Sequence, residues 1–303
     1  MDFWRPIDII GCYILGRRFI GAQSVDGVLE VGGQLKRQGF KVTYNLLGEH
    51  VKGETTVKAA LETTFTLINR MDHNNCGNVS CKPTLYGLAI SKKLFHESMD
   101  AIIQLAYKKG IEIEFDAENY EYIPDTFQVF SGFAFDPCLK NTVRQAVQAH
   151  LKKIEWLMDE YKLWDKNLRI VKGSGVYKED ELLISQNEFL VIERYLEILR
   201  RNLRSGRVPF VATVRDRRLA EEVIKVTDNG RLPIEFQMLH GPLGKTLQRE
   251  LLSKGYPVRH YVPFTDWWCR DAGKAYGLRR IPMIRKILWE EVKRILFARV
   301  DEN

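Results

Sequence analysis

Leu168-Arg169-Ile170-Val171-Lys172-Gly173 sets two cations into a short apolar run that ends in glycine. Burying a cation costs several kcal/mol unless it is paired. Arg169 and Lys172 therefore call for solvent, for carboxylates of the protein itself or for an anionic ligand. Similar polar groups recur at the ends of other apolar runs: Asn45 and Glu49, Lys82, Asp116 and Glu118, Gln148, Thr213, Glu235 and Gln237, Arg259 and Tyr261. One such residue means little. A set that converges on one rim suits a large, polar, anionic ligand. No Ser/His/Asp set stands in recognisable context, and no carboxylate pair is placed for hydrolysis. Gln148 and Arg169 read instead as fixed hydrogen-bond donors of the kind that tune an organic cofactor. Further on, Tyr276-Gly277-Leu278-Arg279-Arg280 carries adjacent arginines. On a solvated helix face they would do nothing specific. Turned inward, their forks could hold a carboxylate, each charge-assisted bond contributing roughly 1.5–3 kcal/mol.

The elements that must position these groups alternate. Helical spacing is expected over 23–38, 54–69, 92–109, 122–140 (interrupted by Pro124 and Pro137), 151–161, 189–203, 216–226 with Asp216 as its cap, 244–252 and 284–300. Residues 1–20 are mixed, aromatic and also read as helical. Between the helices lie eight short apolar or β-branched runs, starting near 40, 79, 111, 143, 168, 208, 234 and 258. Strand–helix alternation implies parallel pairing with right-handed crossovers. Eight such units close into a (β/α)8 TIM-type barrel, whose sites lie at the C-terminal ends of the strands. An open doubly wound sheet is the competing architecture. It would usually announce its cofactor with Gly-x-Gly-x-x-Gly after the first strand, but Gly32-Gly33 falls in the helix before that strand. The expected organisation is one α/β domain over 1–303: N-terminal helices over 1–39, barrel strands over 40–264 and C-terminal helices over 265–303, near the site.

Composition sets wider bounds. The 303 residues are 45% hydrophobic and 28% charged, and the net charge is +7. That excess allows contact with nucleic acid, anionic lipid or an anionic cofactor. The denser basic stretches, 200–218 and 270–293, carry no nucleic-acid-binding motif, so no nucleic-acid partner is expected. Five cysteines without a Cys-x-x-Cys suggest neither a disulfide framework nor a zinc site, and fit a reducing cytosol. Cys81, inside a predicted strand, reads as a buried inert thiol. No metal site is indicated, and no apolar window is long enough to cross a bilayer.

In their order along the chain these motifs resemble the flavin-dependent proline dehydrogenases of the monofunctional type. The carriers are Gly16-Arg17-Arg18-Phe19, Leu46-Leu47-Gly48-Glu49, Ser80-Cys81-Lys82, Asp116-Ala117-Glu118, Val147-Gln148-Ala149-His150-Leu151, Arg169 to Gly173, Val211-Ala212-Thr213, Glu235 to Gly241, Tyr261-Val262-Pro263 and Tyr276-x-x-Arg279-Arg280. The resemblance implies a (β/α)8 barrel that holds non-covalent FAD and moves a hydride from C5 of L-proline to flavin N5. The product would be Δ1-pyrroline-5-carboxylate, within proline catabolism, and the electrons would pass to a quinone or another acceptor.

It also implies residue roles. Gln148, Arg169, Lys172, Gly173, Thr213 and Gln237 would bind the cofactor. Lys82, Arg279 and Arg280 would clamp the substrate carboxylate, with Asp116 orienting them, and these four carry the catalytic assignment. Leu239, Tyr261 and Tyr276 would wall the substrate ring. A cytoplasmic protein is implied, and quinone chemistry would favour peripheral contact with the inner face of the membrane. The sequence departs from the family pattern at Met283, where a glutamate is expected, at Val214, at Asn45 and in a longer loop over 174–177. Those departures leave room for a different cyclic amino acid or amine, or for a flavin-binding homologue without turnover.

Overall fold

Strict period-two alternation on the strands puts one face of each toward helices and the other toward its fellow strands. The computed structural model of the chain describes residues 19–173, 179–213, 216–241 and 244–279. Residues 1–18 of the helix expected over 1–20 and the helix expected over 284–300, together with Arg280, Met283, Val214 and the 174–177 loop, lie outside the described residues; Arg279 is described in its backbone only.

The strands are β1 Lys41–Leu46, β2 Asn78–Cys81, β3 Ile113–Phe115, β4 Val143–Gln148, β5 Leu168–Val171, β6 Phe210–Ala212, β7 Glu235–Leu239 and β8 Val258–Phe264. The described helices are α1 Val25–Arg37, α2 Glu54–Arg70, α3 Lys92–Lys109, α4 Ile123–Phe135, α5 Ile154–Glu160, α6 Glu188–Arg204, α7 Arg217–Val226, α8 Lys245–Ser253 and α9 Arg270–Arg279. All neighbouring strands pair in parallel, and β8 returns to β1, which closes the barrel.

Local chemistry explains the boundaries. Ser24, Ser91 and Asp216 cap α1, α3 and α7 by accepting from the Gly27, Leu94 and Leu219 amides. Gly110 ends α3 in the left-handed conformation. Pro124 sits in the first turn of α4, where its missing N–H costs nothing, and the helix stops before Pro137; it begins with proline and is not interrupted by it.

The strand faces that look outward are apolar. Val42, Tyr44, Ile113, Phe115, Ile170, Phe236 and Val262 join one buried cluster with Val28, Leu67, Ile103 and Leu199 from the helices. Cys81 belongs to this cluster, and burial pushes its thiol well above the usual range, as an inert core residue requires. Gly32 is there because the Tyr44 ring occupies the space a side chain would need: a Cβ would lie 1.8 Å from the Tyr44 hydroxyl.

Inward-facing positions are unusually polar. They include Lys41, Thr43 and Asn45 on β1, Asn78 and Ser80 on β2, Glu114 on β3, Arg144 and Gln148 on β4, Arg169 on β5, Glu235 and Gln237 on β7, and Arg259 and Tyr261 on β8. Val171 shares the inward face of Arg169, while Leu168 and Ile170 pack outward; β5 ends at Val171, two residues before Gly173.

Candidate active site

The polar interior divides into two networks. Glu235 and Arg259 were expected at the C-terminal rim, but they open β7 and β8 and so lie at the other end. There Arg259 Nε binds Glu235, and its Nη1 donates to Val42 O at 2.6 Å and Asn78 Oδ1 at 2.9 Å. Lys41 Nζ meets the second Glu235 oxygen at 2.6 Å. Asn78 passes the chain on to Glu112, and Glu112 accepts from Arg144 Nε at 2.9 Å. Arg144 and Arg259 also stack on the Phe210 ring. This end is an ionic plug whose polar groups bond one another.

Toward the C-terminal rim lies the second network. Lys82 Nζ meets Asp116 Oδ2 at 2.7 Å and Glu49 Oε1 at 3.4 Å. Asp116 Oδ1 accepts from Arg169 Nη1 at 2.8 Å, and Tyr261 donates its hydroxyl proton to Asp116 Oδ2 at 3.0 Å. The Arg169 guanidinium lies over the Tyr261 ring, 4.6 Å from its centroid. Arg169 Nη1 also reaches Glu114 Oε1 at 3.0 Å, and Glu114 Oε2 accepts from Gln237 Nε2 at 3.0 Å. Lys82, Arg169 and Tyr261, from the ends of β2, β5 and β8, thus converge on Asp116, their common acceptor.

Electrostatics follow from this geometry. Burial alone would raise the Asp116 carboxyl, but Lys82 and Arg169 outweigh it and hold the group well below the usual carboxylate range. Burial likewise opposes the Arg169 charge, and Glu114 and Asp116 more than compensate, so Arg169 stays a cation. Glu118 differs. Burial dominates over Lys82 and over the bonds from the Thr84 amide and hydroxyl, and its pKa is pushed up to about 7.

The rim also holds buried polar atoms without a partner among the described residues: Gln148 Oε1, Arg169 Nε, Thr213 Oγ1, Gln237 Oε1 and His150 Nδ1. Others, such as those of Ser98, Tyr195 and Asn202, stand elsewhere in the fold. An unpartnered buried polar atom costs about 1–3 kcal/mol. A group of them at the end of a (β/α)8 barrel where sites form marks a surface prepared for a polar ligand. Beside them Gly173 adopts φ +89°, and a Cβ there would lie 1.8 Å from His150 Nδ1. Glycine is therefore required at the edge of this surface. Leu239 and Tyr276 pack with Phe19 and Leu47 in a separate apolar cluster. Tyr276 comes from α9, whose described residues run to Arg279.

Of the groups expected from the sequence, Lys82, Asp116, Arg169, Gln237 and Tyr261 thus share one hydrogen-bonded network. Gln148, at the end of β4, and Thr213, just past β6, are buried on either side of β5. Lys172 goes elsewhere: its Nζ binds Glu188 Oε1 at 2.6 Å and Asp216 Oδ2 at 3.4 Å. Glu114 was not singled out. Its signal was present, because it alternates with Asp116 and so faces the same interior.

The comparisons with known proteins bear on this arrangement. The family model described as proline dehydrogenase matches residues 28–281. The chain belongs to the proline dehydrogenase family. It is accordingly an oxidoreductase of the class that acts on a CH–NH bond. Within that family it is 30% identical over 274 residues to proline dehydrogenase 2 of Bacillus subtilis strain 168, covering 89% of this chain and 87% of the relative. It is 27% identical over 277 residues to proline dehydrogenase of Deinococcus radiodurans, covering 88% and 85%. Among solved structures it resembles proline utilization A (PutA) from Bdellovibrio bacteriovorus inactivated by N-propargylglycine, with a TM-score of 0.73 and 20% identity. That match covers 88% of this chain but 32% of the much longer PutA chain, and it speaks to the fold. No described helix is long and apolar enough to cross a membrane.

Proposed function

We propose that the chain oxidises L-proline to Δ1-pyrroline-5-carboxylate with FAD as cofactor and a quinone or another acceptor downstream. The observation that carries this reading is the rim itself. An anchored Lys82–Asp116–Arg169 relay lies beside a cluster of unpartnered amide, hydroxyl and guanidinium atoms. Those groups fit a flavin, whose ring edge and ribityl chain offer both donors and acceptors. When bound, FAD supplies the two-electron acceptor that no amino-acid side chain can provide.

The protein's share is binding and orientation. Arg169 and Gln148 would hold the ring edge, and the fixed charge of Arg169 favours negative charge developing there. Thr213, Gly173 and Gln237 would hold the rest of the cofactor. Lys172 would have to exchange Glu188 and Asp216 for a cofactor phosphate. Both pairs are partly exposed, and pairs of that kind are worth little. Lys82, Arg279 and Arg280 would receive the substrate carboxylate. Asp116 holds Lys82 in place through the 2.7 Å ion pair. Leu239, Tyr261 and Tyr276 would close over the ring, exclude water and hold the reacting carbon in line.

The test is the visible spectrum of the purified protein before and after anaerobic addition of L-proline. A flavin spectrum that bleaches supports the reading; a colourless protein that takes up no added FAD ends it. Met283, where the family pattern has a glutamate, favours a second reading in which another cyclic amino acid or amine is the substrate. Bleaching by such a compound and not by L-proline would establish it.

A further inference from the structure

Glu114 is the middle residue of β3 and is fully buried, with a relative exposure of 0%. Its two oxygens go to two different partners. Oε1 accepts from Arg169 Nη1 and Oε2 from Gln237 Nε2, both at 3.0 Å. The same two partners keep a second polar atom unpartnered, Arg169 Nε and Gln237 Oε1. An ionised carboxylate can only accept. It therefore decides which end of the Gln237 amide faces it. The NH2 group is turned to Glu114 and to Thr43 Oγ1 at 3.1 Å, and the carbonyl oxygen is left over. It also decides how the Arg169 fork is used: Nη1 is shared between Glu114 and Asp116, and Nε is left over.

We propose that Glu114 is a positioning residue that sets the hydrogen-bond polarity of the cofactor floor, presenting Arg169 to the ligand as a donor and Gln237 as an acceptor. It acts through those two side chains. The inference rests on the FAD reading above and deepens it. A second consequence is electrostatic. Lys82 faces Asp116 and Glu49, and Arg169 faces Glu114 and Asp116, so each cation of the floor is met by two carboxylates. Burial pushes the Glu114 carboxyl above its ordinary range while Arg169 pulls it down, so the charge of this floor depends on that pairing.

The experiment compares wild type with Glu114→Gln and Glu114→Asp in the FAD-loaded protein. It reads the FAD dissociation constant, the flavin midpoint potential, and kcat and KM for L-proline. Glu114→Gln keeps the size but loses the charge and the obligatory acceptor. It should weaken FAD binding roughly tenfold and lower kcat roughly tenfold, with KM changed less than about threefold. The midpoint potential should rise, because one of the two carboxylates that face Arg169 loses its charge. Glu114→Asp keeps the charge and should return the potential toward wild type. A merely structural role would lower thermal stability and leave the potential in place. Wild type that binds FAD, beside a folded Glu114→Gln whose potential, affinity and kcat all stay within about twofold, overturns the inference and spares the cofactor reading. Wild type that takes up no FAD removes both. If Glu114→Gln does not fold, Glu114→Asp decides by affinity: its charge keeps the potential, but its shorter side chain cannot reach both Arg169 and Gln237, so weakened FAD binding supports the inference and wild-type affinity overturns it.

Discussion

The two ends of the barrel hold similar residues and use them in opposite ways. At the N-terminal end Arg259, Glu235, Lys41, Asn78, Glu112 and Arg144 form a chain in which no buried side-chain atom is left without a partner. At the C-terminal end Lys82, Asp116, Arg169, Glu114 and Gln237 are just as tightly bonded, yet Arg169 Nε and Gln237 Oε1 are left over, with Gln148 Oε1 and Thr213 Oγ1 beside them. A buried ion pair is weak evidence for stability, because desolvation offsets much of the Coulomb gain. What separates a plug from a site is whether the polar groups satisfy one another.

The largest effect should come from breaking the plug. Arg259→Ala leaves Glu235 buried with one partner, and such a loss typically costs about 3–5 kcal/mol. Urea unfolding should show that drop, with the folded fraction still binding FAD at wild-type affinity. Unchanged stability would mean that the plug is dispensable and the contrast between the ends is empty.

Arg169→Ala strikes the other end. Removal of a charge-stabilising donor costs about 10²–10³ in rate, and stopped-flow reduction by L-proline measures it. Stability should fall less than in Arg259→Ala, because Asp116 keeps Lys82 and Glu114 can take up a proton. A larger loss of stability than of rate would make Arg169 a second plug.

Glu118 tests the rim by pH. Its pKa is raised from 4.5 to about 7, so the folded state binds a proton that the unfolded state has already released. That contribution to stability is complete below about 4.5 and is lost as pH rises through about 7. Glu118→Gln should therefore gain on the order of 2–3 kcal/mol relative to wild type at pH 8, and nothing at pH 4. Thermal melts at both pH values give the answer; equal shifts would show that Glu118 does not titrate in this window.

The smallest effect belongs to Lys172, whose partners are exposed. Lys172→Ala should change stability by less than about 1 kcal/mol. A change in FAD affinity at unchanged stability would mean that Lys172 leaves Glu188 and Asp216 for the cofactor. No change in either would remove it from the site.

Much of this was legible in one dimension, and the misses have physical causes. All eight strands were found, because short β-branched runs between helical patterns leave few other readings. Their ends were less accurate. Of the described residues 208–213 only Phe210–Ala212 is strand, and β5 stops at Val171, because neither Pro209 nor a left-handed Gly173 shows in a hydropathy pattern where pairing ends. Glu235 and Arg259 were assigned to the wrong end. In a strand of five or seven residues, polar groups at the two ends look alike until register with the neighbours separates them. Glu114 was passed over because a glutamate in an alternating strand usually faces solvent, and only barrel closure turned that face inward.

The sequence by itself determined the alternation of elements, the closed parallel barrel they imply, and the order of motifs shared with the proline dehydrogenases. Those properties are local: they depend on spacing, capping and propensity within each segment. The tertiary structure alone decided which polar residues meet. Lys82, Asp116, Arg169, Gln237 and Tyr261 come from five strands or the residue just past them, and their hydrogen bonds span up to 194 positions in the chain. Whether a buried polar atom finds a partner is a property of that closure, and it is what distinguishes the plug from the site.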